Sequence, residues 1–234
     1  KATPRECMKP FERGRRALAK WLARRRPFAE RRYIEQQGNG FDERLLTLVP
    51  RGIVYLDGLW QDERHFADAA EIIRADLAFR QAPSDRDREL ARHIDACQSV
   101  ALHVRWFDSP ATPLPHHNLG AEYYQQAVRE IERRIPLPHY FLFSDDVAAA
   151  ARKLEISQDR VTLVDHNQGD DGAILDLWLM NRCKHFILAN STFSWWGAWL
   201  SAHCDGIRLM PGGIPGLRRA WVWRGHAGWV PETP

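Results

Sequence analysis

The chain has 234 residues, of which 44% are hydrophobic and 27% are charged, and this composition excludes a disordered or fibrous protein. No apolar run reaches the roughly 20 residues that cross a bilayer, and the first 20 residues lack the apolar core of a secretory signal. The net charge of +3 is too small to indicate sequence-independent nucleic-acid binding, although local arginines can hold an anionic ligand. We therefore expect a soluble, cytoplasmic protein, or a soluble fragment of one.

The N-terminal segment from Phe11 to Tyr33 is rich in arginine, has Leu18, Trp21 and Leu22 at helical spacing, and is broken by Pro27. This pattern predicts an amphipathic helix followed by a turn. A basic helix of this kind can bind a membrane surface or nucleic acid. We favour a solvated face packed on the domain by Trp21 and Leu22, with at most peripheral membrane contact.

The next segments predict a strand over 52–56, a helix over 63–79 and a linker over 81–84. The following Asp85-Arg86-Asp87 has the Asp-x-Asp pattern by which many enzymes hold a divalent ion. No apolar strand precedes it and a helical stretch follows it. We therefore interpret Asp85 and Asp87 as first-turn residues of a helix, and expect no metal there.

The four cysteines lie far apart in the sequence and form no C-x-x-C pair: Cys7, Cys97, Cys183 and Cys204. This spacing favours structural thiols over a zinc site or disulfides, and suits a reducing compartment.

From residue 99 onward, short apolar runs alternate with helical stretches. The predicted strands are 99–104, 140–143, 160–164, 185–189 and 206–210. The predicted helices are 121–134, 145–155, 174–183 and 193–202. This alternation predicts parallel β-α-β units and a doubly wound α/β sheet.

Polar residues follow four of these strands, at 103–108, 144–146, 165–167 and 190–194. In an open parallel sheet, ligands lie beyond the carboxyl ends of the strands. Any one of these segments is explained by helix capping, but four at one edge predict a ligand site.

The stretch 190–192 precedes a helix, whose free N–H groups and positive dipole end suit a phosphate. Arg105 lies on the same sheet edge and can add a charge-assisted contact. Together they predict a diphosphate anchor that needs no metal. Asp145 and Asp146 can accept hydrogen bonds from sugar hydroxyls or from the N–H edge of a base such as guanine.

Four segments resemble, in order, the motifs of the α1,2-fucosyltransferases, which form glycosyltransferase family eleven. They are Leu-Asp-Gly-Leu-Trp-Gln at 56–61, His-Val-Arg at 103–105, Phe-Ser-Asp-Asp at 143–146 and Asn-Ser-Thr-Phe-Ser-Trp-Trp-Gly-Ala-Trp-Leu at 190–200. The last of these is highly specific, whereas Phe-Ser-Asp-Asp alone is weak. The resemblance spans residues 56–200.

This resemblance implies an inverting galactoside 2-fucosyltransferase that moves fucose from GDP-fucose to a hydroxyl of a galactoside-type glycan, without a metal or other cofactor. It implies a two-domain GT-B fold, with a Rossmann-like donor domain over 99–234 and a partial acceptor-side region over 1–98. The implied donor-binding residues are His103, Arg105, Ser144, Asp145, Asp146, Asn190, Ser191, Thr192, Phe193 and Ser194.

Two features depart from the family pattern. Members usually carry His-x-Arg-Arg-Gly-Asp in the first motif, where this chain has Trp106 and Phe107, so one expected positive charge is missing. Members also usually carry a Gly-Gly-Leu-Gly-Asn-Gln loop, which is not found before Leu56. The N-terminal half is therefore degenerate or incomplete in this sequence, and we favour incompleteness.

In the implied mechanism, Arg105 and the helix start at 191–192 stabilise the departing GDP, while His103 and Asp146 hold guanine or ribose. Inversion also requires a base opposite the diphosphate. Four sources for this base stay open: Asp108, His116, His117 and the missing half. Asp108 can alternatively orient Arg105. Two other functions stay open: a GDP-sugar or glycan-binding protein without turnover, and a nucleic-acid binder acting through the basic helix. The favoured reading, with His103, Arg105 and Asp108 catalytic, includes no nucleic-acid partner.

Overall fold

The computed structural model describes residues 13–38, 40–60, 62–80, 83–106, 117–154, 156–203, 205–212, 220–223 and 229–231. The contacts within the chain group it into two units, 1–67 and 68–234.

The first unit contains one helix and a small parallel sheet. Helix α1 spans Arg13–Arg24, and strand β1 (Tyr33–Glu35) pairs in parallel with β2 (Tyr55–Asp57). Lys20 of α1 donates to Glu35 at 2.7 Å and lies 2.9 Å from Asp57, so ion pairs join the helix to the strand ends. The strand predicted over 52–56 overlaps β2, which begins three residues later, and β1 was not predicted.

The predicted helix near the N-terminus is present, but its proposed packing is wrong. Trp21 and Leu22 are 50% and 45% exposed. The face of α1 that is turned inward carries Ala23 and the paired Lys20 instead. Trp21 packs against the guanidinium of Arg25, 3.4 Å from the ring centre.

The second unit alternates helices and strands. Its helices are α2 (Ala70–Asp76), α3 (Asp85–Ala96), α4 (Ala121–Arg134), α5 (Val147–Lys153), α6 (Gly169–Arg182) and α7 (Thr192–Leu200). Its strands are β3 (Gln98–Val104), β4 (Pro138–Ser144), β5 (Val161–Leu163), β6 (His185–Ile187), β7 (Arg208–Pro211), β8 (Ala220–Trp223) and β9 (Trp229–Pro231).

These strands form one seven-stranded sheet in the order β5-β4-β3-β6-β7-β8-β9. Every neighbouring pair is parallel except β8 and β9. The chain starts in the middle at β3, moves outward to β5, and then returns to the other side of β3 at β6. This order is Rossmann-like, and it confirms the predicted doubly wound α/β sheet.

Successive side chains of β3 point to opposite faces of the sheet, and helices pack on both faces. Val100, Leu102 and Val104 lie in one hydrophobic cluster with Tyr124 and Ile131 of α4. On the other side of the sheet, α6 packs against both α3 and α7. Helix α3, which the sequence analysis placed in the N-terminal region, therefore packs with the second unit.

Two helices differ from the sequence prediction by more than two residues at a boundary. The helix predicted over 63–79 covers only 70–76, because Asp62 accepts from the Arg64 N–H and begins a separate 3-10 turn at 63–65. Helix α6 begins at Gly169, five residues before the predicted start. Gly169 has a φ of +72°, which glycine adopts without steric cost.

The interpretation of Asp85 and Asp87 as first-turn residues is confirmed. Ser84 is the N-cap of α3, and its side chain and that of Asp87 form a reciprocal capping box. Among the described cysteines, Cys97 and Cys183 are free thiols, and burial raises the pKa of each. Cys7 and Cys204 lie outside the described residues. Among the helices that the structure describes, none has the length and apolar character of a membrane span.

Candidate active site

A cleft of about 970 Å³ lies beyond the carboxyl ends of β3, β4, β5 and β6. The strand order reverses between β3 and β6, which is where ligands bind in open parallel sheets. The cleft is lined by every predicted donor-binding residue except Ser194: His103, Arg105, Ser144, Asp145, Asp146, Asn190, Ser191, Thr192 and Phe193. Ser194 is buried and donates to the Ser191 carbonyl at 3.3 Å.

Arg105 follows β3 and is held by the first acidic residue after β4. Its guanidinium nitrogen lies 3.1 Å from one carboxylate oxygen of Asp145. The other carboxylate oxygen of Asp145 accepts from the Trp106 N–H at 3.0 Å. Asp145 therefore orients the cation of the cleft and fixes the backbone beside it.

Trp106 stands where the family pattern has a second arginine, and in the structure it packs against the core cluster of α4. Its indole N–H donates to the Asp146 carbonyl at 3.3 Å. The side chain thus ties the end of β3 to the turn between β4 and α5, and it contributes no charge.

The start of α7 provides N–H groups at the other side of the β3–β6 junction. Ser191 is the N-cap and accepts from the Phe193 N–H at 3.3 Å. Asn190 donates to the His117 carbonyl at 2.8 Å, and its own buried side-chain oxygen has no partner among the described residues. A helix start beside an arginine suits a phosphate or diphosphate group.

His103 lies under this anchor, with 5% of its surface exposed and its ring centre 5.7 Å from that of Phe193. Burial, together with the nearby charge of Arg105, lowers the pKa of His103 to about 3. The imidazole is therefore neutral at physiological pH, and is suited to hydrogen bonding more than to proton abstraction. Its buried Nδ1 has no partner among the described residues.

Ser144 and Asp146 shape the turn between β4 and α5. Asp146 is the N-cap of α5 and accepts from the Ala149 N–H at 2.8 Å, while its own N–H donates to the Ser144 hydroxyl at 3.2 Å. One oxygen of the Asp146 carboxylate is therefore used in capping.

The sequence analysis missed Asp176, a further carboxylate in the cleft. It lies on α6 and accepts from the Asn167 amide at 2.8 Å. Burial raises the pKa of Asp176 to about 6. The sequence does carry a signal for this residue, because Asp176 is the single acidic residue within the otherwise apolar stretch 173–180. Carboxylates in apolar surroundings are rare and often belong to functional sites.

Of the three residues considered as the base for the acceptor hydroxyl, only His117 is among the described residues. Asp108 and His116 lie outside the described residues. His117 does not line the cleft, but its carbonyl accepts from Asn190. Among the described residues, no group of three His, Cys, Asp or Glu side chains is placed to hold a metal ion.

Comparison with known proteins identifies the family. The model of "Glycosyl transferase family 11" matches residues 9–219. An alpha-1,2-colitosyltransferase of Escherichia coli is 35% identical over 167 residues, which are 69% of this chain and 56% of that protein.

Two further relatives match shorter segments. The O-antigen biosynthesis glycosyltransferase WbnK of Escherichia coli is 36% identical over 48% of this chain and 38% of its own length. The galactoside 2-alpha-L-fucosyltransferase SEC1 of Bos taurus is 28% identical over 47% of this chain and 29% of its own length. The chain thus matches little more than half of the first relative and less of the others, and no solved structure was found to match it. Since the family model covers most of the sequence, the chain belongs to glycosyltransferase family 11.

Proposed function

We propose that the protein transfers fucose, or a closely related sugar, from a GDP-linked donor to a hydroxyl of a galactoside-type glycan, with inversion at the anomeric carbon. The family supports sugar transfer in general. Fucose and colitose are the sugars named in two relatives, and galactoside is the acceptor class named in one of them.

The observation that carries this proposal is the anchor at the β3–β6 junction. Arg105 supplies a fixed positive charge, held by Asp145, and the α7 start at Ser191 supplies backbone N–H groups. These groups line one cleft with the neutral His103. They suit a diphosphate in the ground state, and stabilise the charge that develops as GDP departs.

The guanine ring of the proposed GDP-linked donor needs hydrogen-bond acceptors in the cleft, because guanine presents N–H groups at its pairing edge. The sequence favours Asp146 for this role, but capping occupies one oxygen of that carboxylate. We assign the base edge to Asp176, which is more buried and lines the same cleft. Asp146 stays the alternative, and parallel substitutions decide between them.

The architecture proposed for the whole protein is GT-B, in which the cleft described above forms the donor half. Of the predicted acceptor-side region 1–98, residues 1–67 with the small parallel sheet of β1 and β2 would belong to that half, whereas α3 packs with the donor half. We propose no metal ion in the reaction, because Arg105 and the α7 start supply positive charge at the diphosphate. The base that activates the acceptor hydroxyl is sought among Asp108, His116 and His117. The free thiols of Cys97 and Cys183 support a cytoplasmic location.

The proposal is tested by incubating the protein with GDP-fucose or GDP-colitose and a galactoside acceptor. Mass spectrometry of the glycan, and NMR of the new anomeric centre, give the product and its configuration. We expect transfer with inversion. Binding of GDP without release of sugar from either donor, in the presence or absence of acceptor, would instead support a binding protein that lacks turnover. Trp106 motivates that second candidate, because it replaces an expected charge.

A further inference from the structure

Asp87 is a buried carboxylate whose contacts exceed what a helix start needs. Its side chain is 0% exposed. One oxygen completes the capping box, accepting from the N–H of Ser84 at 2.9 Å and from its hydroxyl at 2.6 Å. The other oxygen accepts from His166 Nε2 at 2.8 Å and from the Asn167 amide at 3.1 Å. A capping box is satisfied by the first oxygen alone, so the second set of bonds has a separate role.

Those two partners belong to the loop between β5 and α6, which forms a wall of the cleft. Burial acts to raise the pKa of Asp87, but hydrogen bonds from Ser84, His166 and Asn167 hold it below its usual value. An ionised carboxylate only accepts hydrogen bonds, so His166 Nε2 and the Asn167 amide are both donors. Asp87 therefore fixes the orientation of two consecutive loop side chains.

The Asn167 amide nitrogen extends this connection into the cleft. It donates to Asp87 at 3.1 Å and to Asp176 at 2.8 Å. Asn167 and Asp176 both line the cleft, whereas Asp87 does not. The first turn of α6 also packs tightly here, because a Cβ on Gly172 would lie 2.7 Å from the Asn167 carbonyl carbon. The hydrogen bond from the Asn167 amide and the close packing at Gly172 therefore both fix where Asp176 lies relative to the loop.

We propose that Asp87 is a positioning residue for donor recognition: through Asn167 it orients the Asp176 carboxylate that accepts from the guanine edge. This inference rests on the proposed function. It gives the second aspartate of the Asp-x-Asp sequence a role that involves no metal.

The test compares substitutions that separate helix capping from positioning. Asp87→Asn disturbs both the cap and the bonds to the loop. Ser84→Ala removes the capping side chain and leaves His166 and Asn167 untouched. Asn167→Ala removes the shared amide and leaves the capping box intact, so it decides the question even where Asp87→Asn folds poorly. Asp85→Asn is the matched control, because Asp85 is exposed on the same helix turn.

The readouts are the Kd values for GDP and ADP by calorimetry, with thermal melting as a measure of folding. We expect Asp87→Asn and Asn167→Ala to lose about tenfold of the preference for GDP over ADP, since small misplacements of binding groups are costly. Ser84→Ala should lower the melting temperature while keeping the preference, and Asp85→Asn should match the wild type.

The outcomes separate this inference from the proposed function. A wild type that prefers GDP, together with an unchanged preference in both Asp87→Asn and Asn167→Ala, overturns the positioning role alone. An equal loss of preference in Ser84→Ala and Asp87→Asn reduces Asp87 to a helix cap, and also overturns it. A wild type without any preference for GDP overturns the proposed donor, and this inference with it.

Discussion

Arg105 and Asp145, which follow the neighbouring strands β3 and β4, form an ion pair with 3.1 Å between the guanidinium nitrogen and the carboxylate oxygen. Both side chains are partly exposed to the cleft, so the pair adds little to stability. Its consequence is geometric: the one cation of the first motif is held in a fixed direction beside the start of α7.

Replacing Arg105 with alanine should lower the rate of sugar transfer roughly a hundredfold or more, because a charged contact of this kind contributes about 2–4 kcal/mol in the transition state. The measurement is kcat/KM with the GDP-linked donor. Arg133→Ala, which removes an exposed arginine paired with Glu130 on α4, is the control and should keep the wild-type rate. Near-normal turnover in Arg105→Ala would refute the anchor.

Asp145→Asn should raise the KM for the donor by up to about tenfold, since Arg105 then loses the partner that orients it. The melting temperature should change little, because exposed ion pairs contribute only about 0–1 kcal/mol. A double-mutant cycle with Arg105→Ala is the decisive measurement. If the two effects simply add, Asp145 acts independently of Arg105 and the positioning argument fails.

The base preference of the cleft should depend on Asp176. Asp176→Asn keeps the shape of the side chain but removes the charge that accepts from guanine N–H groups, so its affinity for GDP should fall towards that for ADP. Asp146→Ala is measured in parallel by the same calorimetry. A loss of GDP preference in Asp146→Ala alone would return the base edge to Asp146, as the sequence favours.

The stability of the protein should fall with acid because of His103. Its pKa is lowered from 6.5 to about 3 in the folded state, so folding favours the neutral ring. Above pH 6.5 the neutral ring of His103 costs the folded state no stability. As the pH falls from 6.5 towards 3, stability is lost, because the unfolded chain binds a proton that the buried ring does not. At pH 5.5 the loss from this group should be roughly 1 kcal/mol relative to neutral pH.

Urea unfolding at pH 7.5 and 5.5 measures this effect. His103→Gln should lose less stability than the wild type between the two pH values. Equal pH dependence in wild type and His103→Gln would show that the ring is not held neutral by burial.

Sugar transfer should persist in excess EDTA and should not increase when Mg²⁺ or Mn²⁺ is added. The physical reason is that Arg105 and the start of α7 supply the positive charge that a divalent ion provides in metal-dependent transferases. Donor hydrolysis replaces transfer as the readout when no acceptor is known. Abolition by EDTA with rescue by either ion would overturn the proposed anchor.

The strands β3, β4, β6 and β7 could be predicted because strands buried on both faces are continuous apolar runs. β1 was missed because Tyr33-Ile34-Glu35 is short and has no clear period. Strand β8 was missed because its four residues are too short for a clear period. The observed helix starts differ from the predicted ones where a glycine or a polar cap determines the boundary, as at Gly169. An apolar pattern does not contain such residues.

The parts of the site that follow strands were also readable from the sequence, since parallel strands bring their ends to one edge. His103, Arg105 and Ser191 were predicted on this basis, and they line one cleft. Asp176 and Asp87 were not predicted as parts of the site, because both lie within helices. Their proximity to Asn167 results from the way α3 and α6 cross the sheet, and no local pattern encodes that crossing.

The reversal of strand order between β3 and β6 also affects how the protein folds. Arg105 and Ser191 lie on either side of this reversal, with β4, β5 and α6 between them in the chain. The anchor therefore cannot exist in a partly folded sheet that has not yet received the returning strand β6. Such non-local pairing is slow to form, so the anchor is completed late in folding. A nucleotide-sugar donor held by this anchor would then bind only the finished sheet, and by mass action it would stabilise that sheet as a whole.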